Sequence, residues 1–197
     1  MSDILVLYYS KNGATESLAR AVCLGVDSVD GMASRLRTVP AVSAVTEAVE
    51  NDVPESGPPY AIPQDLKDCS GLVMGSPTRF GNMDASLKYF IDGTASEWFA
   101  AAAVGKPAGV FTSTSSMHGG QESTLITMAL PLIHHGMLFV GIPYSEQALT
   151  TTTTGGTPYG ASHVTWNRKA DELSEDERDL ARALGKRIAE IAKKLET

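Results

Sequence analysis

Apolar residues occur along this chain in short unbroken runs separated by segments of helical periodicity. Unbroken runs lie within 4–9, 71–75, 106–112 and 137–140, whereas residues 32–39 alternate apolar and polar positions. An unbroken run is typical of a strand covered on both faces, and alternation is typical of a strand nearer a sheet edge. These segments therefore predict five strands, of which the second in the chain lies nearest an edge.

The segments between these strands predict helices. Apolar residues recur every three or four positions in 15–26, 83–93 and 121–135, and 63–68 predicts a shorter helix. The last helix has the clearest pattern: Ser174 and Glu177 form a capping box, and an apolar stripe follows. The stripe consists of Leu180, Leu184, Ile188, Ile191 and Leu195. Strands that alternate with helices predict an α/β fold, a doubly wound five-stranded parallel sheet with helices on both faces.

Two segments fall outside this alternation. Residues 40–62 are rich in proline and show little periodicity, which predicts an excursion over the surface. Residues 144–166 are rich in Thr, Gly and Tyr and give only a weak helical signal. With 197 residues, the chain fits one domain over 1–197, with excursions at about 40–62 and 145–166.

Composition narrows the functional classes. The net charge of −7, from 16 basic and 23 acidic residues, argues against nucleic acid as a partner. No apolar stretch is long enough for a membrane helix, and the first residues show no signal-peptide pattern. The two cysteines, Cys23 and Cys69, are expected to be buried free thiols, which fits a cytoplasmic location.

Three polar loops follow predicted strands, at 10–15, 76–82 and 113–120. Because ligands of such sheets bind beyond the carboxyl ends of the strands, these loops predict the functional site. The first loop leads into a helix and contains Ser10, Gly13 and Thr15. Because the first N–H groups of a helix have no internal partner, this loop favours binding of a single terminal phosphate. Simple capping of the helix by Ser10 and Asn12 is an equally good interpretation.

The other two loops predict surroundings for a flat heteroaromatic ring. The second offers backbone donors, the cation of Arg79 and the aromatic ring of Phe80, although a solvated arginine and a core phenylalanine are the alternatives. The third, with its hydroxyls and glycines, is suited to wrap a ligand or is a flexible polar loop. His134 and His135 diverge on their helix, with no further ligand at suitable spacing, so no metal site is predicted.

Several motifs together resemble the WrbA-type NAD(P)H:quinone oxidoreductases, the tryptophan-repressor-binding protein family. They lie at 6–10, 77–82, 119–122, 134–137 and 155–161, and the second and last are long and specific. The resemblance implies a flavodoxin-like fold, FMN as cofactor and NAD(P)H as co-substrate. It also implies two-electron reduction of quinones and a homotetramer, with a dimer as the alternative.

The resemblance also implies roles for individual residues. The FMN phosphate would be held by Ser10, Lys11, Asn12, Gly13, Ala14 and Thr15. The ring would be lined by Pro77, Thr78, Arg79, Phe80, Gly81 and Asn82. The ribityl chain and ring edge would be wrapped by Ser113, Thr114, Ser115, Ser116 and Gly119. His134 would reach the flavin from a neighbouring subunit as the catalytic residue, and Trp98 would line the substrate pocket.

Position 12 departs from the family. Asn12 stands where many members carry an aromatic residue that contacts the nicotinamide or the substrate, so the preference for NADH or NADPH stays open. The sequence thus predicts a ping-pong quinone reductase. The alternatives are an electron-carrier flavodoxin, which the modest net charge and the two excursions disfavour, and an FMN-binding scaffold or regulatory protein.

Overall fold

A computed structural model describes residues 2–43, 53–166 and 168–195. The strands are β1 Ser2–Tyr8, β2 Met32–Thr38, β3 Gly71–Pro77, β4 Pro107–Thr114, β5 Leu138–Phe139 and β6 Ala161–Val164. The helices are α1 Ala14–Asp27, α2 Pro63–Asp68, α3 Ala85–Asp92, α4 Ala95–Phe99, α5 Gln121–His134, α6 Ala148–Thr151 and α7 Glu175–Leu195. In this part of the chain, no helix is long and apolar enough to cross a membrane.

The sheet is parallel throughout, in the order β2-β1-β3-β4-β5, with β2 at an edge as the alternating pattern predicts. The prediction of five strands was one short, because β6 also pairs with β4. Strand β5 pairs with Pro107 and Ala108, and β6 pairs with the stretch from Phe111 to Thr114. One sheet position beyond β4 is therefore shared by two short strands, and the segment between them leaves the sheet.

The predicted helical layers cover both faces of the sheet. Alternate residues of β1 point to opposite sides: Ile4 and Val6 pack in the cluster that includes α1 and α7, and Leu5 and Leu7 pack in the cluster that includes α3 and α5. Both clusters are fully buried at these positions. This two-sided burial explains why β1 reads as an unbroken apolar run.

Helices α1 and α7 approach each other more closely than side chains normally allow. A Cβ added to Gly25 would lie 2.0 Å from Arg182 O, and one added to Gly185 would lie 2.1 Å from Val22 O. The two glycines therefore let the helix backbones touch. The predicted stripe of α7 faces this contact through Leu180, Leu184 and Ile188, but Leu195 at its end is exposed.

The capping box at the start of α7 is confirmed. The Glu177 amide donates to Ser174 Oγ over 3.1 Å, and the Ser174 amide donates to Glu177 Oε2 over 2.9 Å. Glu177 is nevertheless fully buried, which is unusual for a residue of a capping box and bears on the site described below.

The two predicted excursions differ in how much regular structure they contain. Part of the first, 44–52, lies outside the described residues, but Tyr60 forms an isolated parallel bridge with Thr38 and so continues the edge of β2. The second contains the short helix α6 and the strand β6. The weak helical signal in 144–166 concealed β6, because a four-residue strand is too short to show a period.

Candidate functional site

The carboxyl ends of β1, β3 and β4 open into one cavity of about 200 Å³. The chain runs from β1 to β2 on one side and returns to β3 on the other, so the cavity lies at the point where strand order reverses. Its walls are formed by Ser10, Lys11, Asn12, Ala14, Thr15, Pro77, Thr78, Arg79, Ser113, Thr114, Ser115, Thr165 and Ala170. The three loops predicted from the sequence therefore meet here.

The loop after β1 presents unpaired donors to the cavity. Gly13 is the N-cap of α1 and adopts the left-handed conformation, with φ of 87°, and within the described part of the chain no side chain caps this helix. The first amides of α1 therefore have no partner inside the helix. Ser10 Oγ is buried and has no hydrogen-bond partner among the described residues. Donors left open at a helix start suit an anion.

Thr15 and Ser113 join the first loop to the end of β4. Thr15 Oγ1 lies 2.8 Å from Ser113 Oγ, and both residues are buried. Ser113 and Thr114 belong to β4 and not to the loop in which the sequence placed them. The prediction ended β4 too early because a buried strand with polar residues at its end resembles a loop in sequence.

The loop after β3 is a tight turn with an aromatic tip. The amides and carbonyls of Arg79 and Asn82 bond each other reciprocally, over 2.7 and 3.0 Å. Between them Phe80 has φ of 53°, and its side chain is fully exposed. The full exposure of Phe80 excludes the core-packing alternative, and its left-handed backbone is unfavourable for a bulky residue.

Arg79 is fixed at the rim of the cavity. Its Nε lies 2.9 Å from Asp84 Oδ2, and a terminal nitrogen donates to Thr78 O over 2.9 Å. Asp84 is also the N-cap of α3, where it accepts from the Ser86 amide. The guanidinium is therefore oriented by its neighbours and is not a freely solvated arginine.

The loop after β4 divides between two cavities. Ser115 lines the cavity described above, whereas Met117 and His118 line a second one of about 490 Å³ beside Thr157 and Ser162. Ser116 and Gly119 line neither; the Gly119 amide donates to Ser116 O and closes the turn. The buried Gln121 holds this turn by donating to Met117 O over 2.9 Å, so the loop is an ordered one.

Two predicted residues lie far from the cavity. His134 is the last residue of α5. Two residues later, the Gly136 carbonyl accepts from the amide of Gly105, which precedes β4, so this end of α5 lies at the amino ends of the strands, opposite to the cavity. Trp98 lies beside it and donates from Nε1 to His134 O over 2.8 Å. Within one chain neither side chain reaches the cavity, so their predicted roles require a neighbouring subunit.

Sequence reasoning missed one wall of the cavity. Thr165 and Ala170 follow β6, and a short run such as 161–164 carries too little periodicity to reveal the strand that places them. Their position is supported by the buried pair of His163 and Glu177, whose atoms lie 2.8 Å apart. In the described ranges, no group of three or more His, Cys, Asp or Glu residues is arranged to hold a metal ion.

Solved structures show the same fold. A flavodoxin, WrbA-like protein from Agrobacterium tumefaciens matches with a TM-score of 0.69 at 24% identity, over 98% of this chain and 99% of that one. A flavodoxin from the domain Archaea matches with a TM-score of 0.62 at 19% identity, over 97% and 99% of the two chains. These likenesses confirm the predicted flavodoxin-like architecture.

Sequence comparison goes further than the fold. Residues 3–146 match the family described as NADPH-dependent FMN reductase. A protein of Solidesulfovibrio magneticus described as NAD(P)H dehydrogenase (quinone) is 40% identical over 200 residues, which cover 98% of each chain. These matches confirm the prediction of an oxidoreductase of the WrbA type and indicate FMN with NAD(P)H as electron donor. The fold and the open hydrogen-bond donors of the loop after β1 agree with these matches. The chain therefore belongs to the NADPH-dependent FMN reductase family.

Proposed function

We propose that this protein reduces quinones by two electrons at the expense of NAD(P)H, with FMN bound in the cavity at the carboxyl ends of β1, β3 and β4. The observation that carries the proposal is the buried Ser10 hydroxyl, which lacks a partner among the described residues and stands beside the open amides of α1. A buried hydroxyl without a partner is costly, and a phosphate oxygen would satisfy it.

The phosphate end of FMN would lie in the first loop. Ser10 and Thr15 supply hydroxyls, the backbone of residues 11–14 supplies amides, and the exposed Lys11 supplies a positive charge at the cavity wall. The left-handed conformation of Gly13 turns the chain so that these groups converge. The donor set suits one terminal phosphate group.

The ring would lie between the second and third loops. Thr78, Gly81 and Asn82 offer polar groups, and Phe80 offers an apolar face. Arg79, held by Asp84, would place its charge near the pyrimidine edge, where negative charge collects on reduction. Ser113, Thr114 and Ser115 would face the ribityl chain, and Ser116 and Gly119 would shape that loop from outside the cavity.

Bound FMN supplies the two-electron chemistry, which the amino-acid side chains cannot perform themselves. The protein contributes binding, orientation and the electrostatic field of Arg79 and Lys11. NAD(P)H and the quinone would occupy the same space at the cavity mouth in turn, beside Asn12, so ping-pong kinetics are expected.

A second copy of the chain would complete the pocket. On α5, Ile126, Leu130 and Ile133 share one face and are each roughly half exposed, which is unfavourable for a free helix surface. Because Trp98 donates to His134 O, a neighbour that packs here would bring both residues to a site together. We propose a homotetramer, with a dimer as the alternative, in which His134 of one chain serves the cavity of another.

The cellular setting also belongs to the proposal. Cys23 and Cys69 are both unpaired thiols, and burial raises the pKa of Cys69 to about 11, which keeps that thiol unreactive. Two free cysteines favour a reducing compartment, so we place the protein in the cytoplasm.

The decisive experiment follows the flavin colour of protein reconstituted with FMN. Rapid mixing with NADH or NADPH should bleach the flavin absorbance, and a later addition of benzoquinone should restore it. Protein that binds FMN but is not bleached by either nicotinamide would exclude the enzyme and favour an FMN-binding scaffold. Parallel lines in double-reciprocal plots would support the ping-pong order, and intersecting lines would exclude it.

A further inference from the structure

A buried charged network supports the wall of the cavity that the sequence did not reveal. His163 in β6 and Glu177 in α7 are both fully buried, and His163 Nδ1 lies 2.8 Å from Glu177 Oε2. No step of the proposed function uses either side chain. A buried imidazole and carboxylate that the chemistry does not need still require a reason, because their burial is expensive.

The hydrogen bonds around Glu177 show that it is ionised. Its Oε1 accepts from the Gly155 amide over 2.9 Å and from the Val164 amide over 3.0 Å, and its Oε2 accepts from the Ser174 amide over 2.9 Å. A carboxylate surrounded by donors on both oxygens is favoured over the protonated acid. Burial raises the pKa of Glu177, but the hydrogen bonds from His163, Ser174 and Val164 outweigh it and hold the pKa at about 2.

Both ring nitrogens of His163 face groups that accept hydrogen bonds. Its Nε2 lies 3.2 Å from Ala170 O, and a carbonyl oxygen only accepts. Its Nδ1 faces the carboxylate of Glu177, which likewise only accepts. The guanidinium of Arg168 lies 3.8 Å from Glu177 Oε2.

His163 contacts the cavity wall directly at Ala170 and lies two residues before Thr165, which is also part of that wall. Ala170, whose carbonyl it binds, lines the cavity, as does Thr165, whose amide donates to Thr114 O over 2.9 Å. His163 is also the neighbour of Ser113 in the register of β6 with β4, and Ser113 contacts Thr15 of the phosphate loop. The pair thus supports both the wall at 165 and 170 and the Ser113–Thr15 contact.

We propose that His163 and Glu177 are positioning residues: a buried ion pair that holds Ser113, Thr165 and Ala170 in place and thereby sets the affinity of the cavity for the phosphate end of its ligand. This inference rests on the proposed binding of FMN and adds how the site is kept in shape. Because the pair acts through Ser113, whose hydroxyl contacts Thr15 of the phosphate loop, it should affect a phosphorylated flavin far more than a flavin without phosphate.

Two substitutions separate this role from simple loss of stability. His163→Asn keeps a donor toward Glu177 but removes the charge and the bond to Ala170 O, and Glu177→Gln keeps the shape but removes the negative charge. Glu190→Gln is the matched control, because Glu190 lies exposed on the same helix. Ile188→Val, in the buried stripe of α7, is the control for a general loss of stability.

The affinities of FMN and of riboflavin are measured by quenching of flavin fluorescence on the apoprotein. His163→Asn and Glu177→Gln should each weaken FMN about tenfold, as expected for loss of one hydrogen bond to a charged group, and should change riboflavin affinity less than about twofold. Both controls should leave both affinities unchanged. Unchanged FMN affinity in the two variants, or equal weakening of FMN and riboflavin, would overturn the proposal.

The ion pair itself is tested without any flavin. Among the four histidines of apoprotein labelled with ¹⁵N at the imidazole, one should show two exchange-protected ring N–H protons, and they should vanish in His163→Asn. A neutral tautomer with a single N–H would overturn the proposal whatever the flavin results. Wild-type protein that shows both N–H signals but binds no FMN would instead refute the proposed function, and the inference with it.

Discussion

Two regions near the carboxyl ends of the strands differ in whether their buried polar groups have hydrogen-bond partners. In the loop after β1, Ser10 Oγ is buried and has no partner among the described residues, and no described side chain caps α1. Around Glu177, by contrast, every carboxylate oxygen accepts two hydrogen bonds. One region is left unsatisfied by the chain, and the other is satisfied completely.

This difference distinguishes residues that bind a ligand from residues that hold the backbone of the site in place. Donors without an internal partner contribute the full free energy of a hydrogen bond when a ligand binds, since no internal hydrogen bond must first be broken. A fully paired buried network gains nothing from a ligand, but it fixes the backbone around it. Substitutions in the first region should therefore change ligand affinity directly, whereas substitutions in the second should lower stability and change affinity only through the backbone that they position.

The largest expected effect is on stability, in Glu177→Ala. This change leaves the His163 charge buried without a partner and removes the acceptor of three backbone amides. Breaking a buried pair by removing one partner costs about 3–5 kcal/mol of the free energy of unfolding. Urea denaturation measures it, and the exposed control Glu190→Ala should stay within about 0.5 kcal/mol of wild type. Equal losses in the two variants would remove the distinction between the regions.

Acid should produce the next effect, through the same carboxylate. The pKa of Glu177 in the folded protein, about 2, lies below its ordinary value of 4.5, because the donors around it outweigh its burial. Its contribution is therefore complete above pH 4.5 and is lost as the pH falls toward 2, by about 3 kcal/mol in total. Unfolding free energies measured across this window should fall less steeply in Glu177→Gln than in wild type. Identical slopes would show that Glu177 is not the group that titrates.

The double change Ser10→Ala with Thr15→Val tests the unsatisfied region. Hydrogen bonds to a charged phosphate contribute about 1.5–3 kcal/mol each, so loss of two should weaken FMN binding by about a hundredfold or more. Loss of the Thr15–Ser113 contact should lower apoprotein stability by only about 1 kcal/mol. Isothermal titration with FMN measures the affinity, and Ser17→Ala, which removes a hydroxyl that donates to Gly13 O, is the control. An unchanged FMN affinity in the double variant would place the phosphate elsewhere.

The smallest effect is expected from Gly13→Ala. A Cβ at this position meets nothing within 4 Å, so only the left-handed backbone, with φ of 87°, is strained, at a cost of about 1–2 kcal/mol. Gly57→Ala, with φ of 88° and equal open space, should cost the same stability. Only Gly13→Ala should also weaken FMN, because relaxation there turns the amides away from the cavity. Equal FMN affinity in both variants would show that the direction of these amides is not important.

Local patterns were sufficient for most of the architecture. The unbroken run in β1 predicted burial on two faces, the alternation in β2 predicted a position nearer an edge of the sheet, and the capping box of α7 predicted a helix start. All three were confirmed. Strand β6 and the end of β4 were missed, because four residues are too few for a period and because Ser113 and Thr114 are polar residues buried by their neighbours. The role of Glu177 as a cap was readable, whereas its contact with His163 was not.

The sequence by itself determined the order of the first five strands and the main helices, and it located the three loops that meet at the carboxyl ends of the strands, because hydrophobic period and turn chemistry are local properties. Only the tertiary structure decided which polar groups find partners: it left Ser10 open, paired His163 with Glu177, and placed His134 and Trp98 at the far end of α5. Hydrogen-bond satisfaction depends on atoms that are distant along the chain, and no local pattern encodes their distances.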